Sequence, residues 1–89
     1  MQTKIGDVVV LVMPGVSVVY LAEVRHDGER FEAFKERFVV TTSGAALHDA
    51  QAITSRTGGR VLRWMKDATE PELWPISDPK LQTQSVRLR

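Results

Sequence analysis

Few side chains in this sequence are placed for chemistry, and the most suggestive are His48 and Asp49 in "LHDA". A helical His-Asp pair is half of a metal-dependent phosphohydrolase site. Such a site also needs a histidine upstream and an aspartate downstream, all converging on one divalent ion. The only other histidine is His26, in the turn-forming stretch "RHDGER". Neighbours on a helix point about 100° apart, so His48 and Asp49 do not face one ion. A Ser43, His48, Asp49 triad fares no better: Ser43 suits a helix N-cap, and neither a nucleophile elbow nor a glycine-rich oxyanion loop accompanies it. Gly58 and Gly59 precede a strand-like run without a P-loop lysine, which leaves phosphate binding unsupported. The expectation is a non-enzyme, with no catalytic residue, no metal ligand, no cofactor and no small-molecule substrate.

A second chemistry is phosphate contact with base stacking, which Arg60, Arg63, Trp64 and Lys66 could supply together with Lys80, Arg87 and Arg89 near the C-terminus. Against it, twelve Lys and Arg meet eleven Asp and Glu, a formal charge of +1 and far from the balance of a nucleic-acid binder. Arginines beside a strand more often solvate an edge, and a tryptophan more often fills a core. Nucleic-acid binding is therefore the alternative, and a protein partner or self-association is the leading expectation. The candidate interaction surface is Arg60, Arg63, Trp64, Lys66, Trp74, Val86 and Leu88. Aromatic and arginine side chains commonly anchor such surfaces.

The elements that must carry these residues follow from periodicity. "VVVLVMPGVSVVYLA", Val8 to Ala22, is rich in β-branched residues and predicts strands over 7–12 and 16–25. It does not read as a signal peptide or membrane span: Asp7 abuts it, Pro14 and Gly15 interrupt it, and a bilayer takes about 20 apolar residues. Pro14-Gly15 predicts a type II turn, which matches hairpin twist poorly and leaves either a slightly longer loop or a change of direction. Asp27-Gly28 suits a type I′ hairpin, but that would set Arg25 against Arg30 and Glu23 against Glu32. The other reading of 29–38 is a helix capped by Asp27, with Phe31, Phe34 and Phe38 facing the core.

"FVVTT" predicts a strand over 38–42. Ser43 then caps a helix of about 45–57 whose stripe of Ala46, Leu47, Ala50, Ile53 and Thr57 lets it lie close on a sheet. His48, Asp49, Gln51 and Arg56 are expected towards solvent. A strand over 60–66 places Leu62 and Trp64 on one face, with Trp64 packed against that helix. Thr69 and Glu72 have capping-box spacing for a short helical turn, and Trp74 tucks this turn onto the core.

The fold class is thus α+β: a small, mostly antiparallel sheet of three to four strands, one main helix at about 45–57 and a possible second helix at 29–38. "KIGDVVVL", Lys4 to Leu11, resembles the first strand of SH3-like barrels, but the element order fits an open α+β sheet better. With 43% hydrophobic and 26% charged residues the chain has the composition of a globular domain. One compact domain over 1–74 and a polar, proline-broken tail over 75–89, mobile or ordered by a partner, are expected. The absence of cysteine excludes disulfides and thiolate chemistry and fits a cytoplasmic location without requiring it. The functional expectation is a non-catalytic protein-interaction or homo-oligomerisation module.

Overall fold

Five apolar residues in succession, Val8–Val12, form β1 because this strand is covered on both faces. In the computed structural model, which describes residues 1–74, β1 is the centre of a five-stranded sheet. β2 (Val18–Glu23) pairs antiparallel with β1, and β3 (Val39–Thr42) antiparallel with β2. On the other side of β1, β4 (Val61–Met65) runs parallel to it and β5 (Glu72–Leu73) antiparallel to β4. Among the described residues the spatial order β3-β2-β1-β4-β5 is open at both ends, as the element order predicts for an α+β sheet. The turn Met13 to Val16 closes with Gly15 at φ 78°, as Pro14-Gly15 predicts, and β1 and β2 are joined by a loop longer than two residues.

Two cores follow from the strand period of two. Helix α2 (Ala46–Thr57) lies over Val8, Val10, Val19 and Leu21, with Ala46 and Ala50 fully buried, so the small-residue stripe does allow close approach. On the opposite face, Val9, Leu11, Ala22, Val24, Leu62 and Trp64 are covered by the one-turn helix α1 (Phe31–Phe34) and the residues after it. Phe34 is fully buried and meets Trp64 edge-on, with ring centroids 6.2 Å apart. Trp64 therefore does not pack on α2. Leu62 and Trp64 do share a face, but α2 covers the other one, and Val61 is the β4 residue that meets its core.

Three local expectations are corrected. Asp27 does not cap α1: its Oδ1 accepts the Ile5 N–H at 2.8 Å, and Gly28 N–H donates to the Thr3 carbonyl, so "RHDGER" is clipped to the N-terminal segment. Ser43 does not cap α2. Its N–H is used by the sheet, donating to Ser17 O at 2.7 Å, and Thr42 accepts the Ala45 N–H. Glu72 does not close a capping box with Thr69, because β5 forms there and Glu72 turns to Arg63 across the strand pair. β5 is the strand beyond the three to four expected. Trp74 does reach the core, half-buried on the α2 side, with its N–H donating to Val61 O at 3.0 Å.

Candidate functional site

Among the described residues the sheet ends at β3, and this edge departs from how sheets usually end. Native edges are blunted by charge, proline, bulges or extreme shortness. The β5 edge has such protection: two residues long, preceded by Pro71, with Glu72 ion-paired to Arg63. β3 has none of it. Its four residues are Val-Val-Thr-Thr, and Val39 and Val40 are 63% and 61% exposed. The Ser43 N–H bond to Ser17 O fixes which groups face outwards. Bonded positions alternate in an antiparallel ladder, so residues 39 and 41 turn their backbone groups to β2, and Val40 and Thr42 turn theirs away. The Thr42 carbonyl also receives the Ala45 N–H at 3.1 Å.

Each face beside this edge holds an apolar recess. On the α2 face, about 310 Å³ lies between Leu21, Val39 and Ile53, rimmed by Arg25, Arg37 and Asp49. On the α1 face, a more open recess of about 450 Å³ is lined by Leu11, Met13, Tyr20, Lys35, Phe38 and Val40. Tyr20 and Phe38 meet in a tilted pair, 5.8 Å between centroids, and form its aromatic wall. Valines 39 and 40 thus each look into a different recess, as consecutive strand residues must.

Side-chain bonds tie the surroundings of the edge together. Glu29 accepts two bonds from Arg37, at 2.8 and 3.1 Å, and another from the Arg25 N–H, and Arg37 also donates to Glu23 O. Burial would raise the Glu29 carboxyl, but Arg37 and the Arg25 N–H hold it below its ordinary value. Arg37 stacks over Phe34 at 5.6 Å, joining this ion pair to the core. At the other end of β3, Thr41 Oγ1 donates to Asp49 at 2.7 Å, so Asp49 is partly buried and not turned fully to solvent as its place on α2 suggests.

The five candidate surface residues among those described do not form one patch. Arg60 faces Asp7: its N–H and Nε donate to Oδ1 at 2.9 and 3.2 Å, and Nη2 donates to Oδ2. Burial pushes the Asp7 carboxyl up, and Arg60 with the Lys4 N–H outweighs this and holds it below the usual range. Arg63 pairs with Glu72, and Trp64 is only 4% exposed, donating its Nε1–H to Ala68 O at 2.9 Å. Lys66 is exposed, and Trp74 lies on the α2 side of the sheet. Val86 and Leu88 lie outside the described residues. His48 is exposed, and among the described residues no group of three or more His, Cys, Asp or Glu could hold a metal ion. No helix among the described residues is long and apolar enough to cross a membrane.

Val39 and Val40 are absent from the sequence-derived surface because "FVVTT" reads as a strand without saying that it ends the sheet. The lack of charge or proline within it, against "EPELWP" at the other edge, is the signal that points to them. No protein-family model, curated protein or solved structure matches the chain.

Proposed function

We propose that the protein is a non-catalytic interaction module that takes up a β-strand at its β3 edge. One observation carries this reading: an uncharged edge strand whose two valines are more than 60% exposed, each beside an apolar recess. In strand addition, main-chain hydrogen bonds supply affinity and recesses for alternate side chains supply specificity. Val40 and Thr42 present the former and the two recesses the latter. A cytoplasmic setting fits a chain that has no cysteine to oxidise.

The nucleic-acid alternative draws less support. Among the described members of that set, Arg60 and Arg63 are partly exposed but engaged with Asp7 and Glu72, Trp64 is enclosed between strands and α1, and Lys66 is exposed.

The test is heteronuclear NMR with two probes, a neutral peptide alternating valine and threonine and a duplex DNA of arbitrary sequence. The expected result is shift changes at Val39 to Thr42 and across β2 with the peptide alone. Changes confined to Lys66 and its neighbours with DNA would favour the alternative.

A further inference from the structure

From the self-complementarity of the β3 edge we infer that its occupant is a second copy of the chain, joined through antiparallel β3–β3 pairing about a two-fold axis at Val40. This rests on the strand-addition reading and names the partner. A two-fold interface must present the same surface twice, so every residue off the axis has to suit its counterpart. Val40 can sit on the axis because its N–H and C=O point away from β2, and two such residues exchange both bonds. That register lays Val40 on Val40 over the α1-face recesses and Val39 against Thr41 on the α2 face. Moving the axis to Thr41 would set Val40 against Thr42 and Val39 against Ser43, which buries less apolar surface.

Electrostatics agree with this arrangement. Residues 38–42 carry no charge, and Arg37, already neutralised by Glu29, falls opposite Ser43. No like charges meet along the strand, which is what usually prevents edges from pairing. The opposite sheet edge, two residues with an ion pair across them, offers no comparable self-match. The product is a continuous ten-stranded sheet, twice the five of one copy.

The experiment is sedimentation velocity of the full chain over low to high micromolar concentration, with three variants. The wild type is expected to pass from monomer to dimer. Val40→Lys puts two ammonium groups on the axis and should weaken the dimer at least about tenfold. At 61% exposure the position tolerates lysine, so an unchanged melting temperature shows that the fold is intact. The chain has no cysteine, so Val40→Cys gives one thiol per copy. Bonded partners lie about 5.5 Å apart at Cα, within disulfide reach. Oxidised glutathione should therefore link Val40→Cys into a dimer and leave Leu73→Cys, on the β5 edge, unlinked.

A wild type monomeric throughout and a Val40→Cys that stays unlinked would overturn the inference. So would a dimer that Val40→Lys leaves intact or that Leu73→Cys captures. A monomer whose β3 resonances still move with the valine-threonine peptide would overturn the two-fold dimer alone. A monomer that ignores the peptide would remove the strand-addition reading as well.

Discussion

Asp7 and Arg60 tie the entry of β1 to the entry of β4, the one parallel pair in the sheet. The carboxylate, 1% exposed, accepts the Arg60 backbone N–H at 2.9 Å and its guanidinium at 2.5 Å, and also the Lys4 N–H at 3.0 Å. A parallel pair cannot be closed by a short turn, so its register must be set by other means. Here a single buried anion gathers both strand starts.

Removing that charge should show in acid. The folded Asp7 carboxyl is held below its ordinary value, so its stabilisation is fully present above an unfolded pKa of about 3.9 and lost as pH falls through the lower folded value. Asp7→Asn is expected to cost about 2–4 kcal/mol at neutral pH, since it leaves strand-entry donors poorly matched. The gap between wild type and variant in thermal melts should close below about pH 4. A gap of constant size at every pH would show that the charge is not responsible.

Gly59 should be far less replaceable than Gly44. A Cβ on Gly59 would lie 2.1 Å from Gly6 O and 2.7 Å from Asp7 N, inside the same strand-entry cluster, whereas nothing lies within 4 Å of one on Gly44. Gly59→Ala is expected to destabilise by about 3 kcal/mol or more by forcing backbone apart. Gly44→Ala should fall within about 1 kcal/mol of wild type. Denaturant midpoints measure both, and equal costs would mean that the approach of Gly59 to Gly6 is looser than these distances.

Trp64→Ala should cost about 3–5 kcal/mol, a large share of the stability of so small a domain. Its local consequence distinguishes the two cores. In Trp64→Phe, chemical shifts are expected to move at Phe34, Phe38 and Leu62 and to stay nearly fixed at Ala46 and Ala50. Movement centred on α2 would contradict the assignment of Trp64 to the α1 face.

Local signals carried much of this architecture. The unbroken apolar run of β1 announced a covered strand, and the spacing of Ala46, Ala50 and Ile53 located α2 within a residue or so. Alternation also placed Leu62 and Trp64 together. Which face α2 would cover was beyond it, because that depends on how the chain crosses from β3 to β4. Charge pairing was equally hidden: Asp7 lies 53 residues from Arg60, and an aspartate at the start of a strand does not reveal its partner. The exposure of Val39 and Val40 follows from sheet order, a long-range property, so the strand was legible and its place at the edge was not.

The claim that β3 is the contact edge is tested most directly by amide hydrogen exchange of Val40 and Thr42 in a dilution series. Their N–H groups point away from β2, so the account predicts fast exchange in dilute solution and protection that grows with concentration. Protection at these two amides that is the same at every concentration, or that grows instead at Glu72 and Leu73, would contradict it.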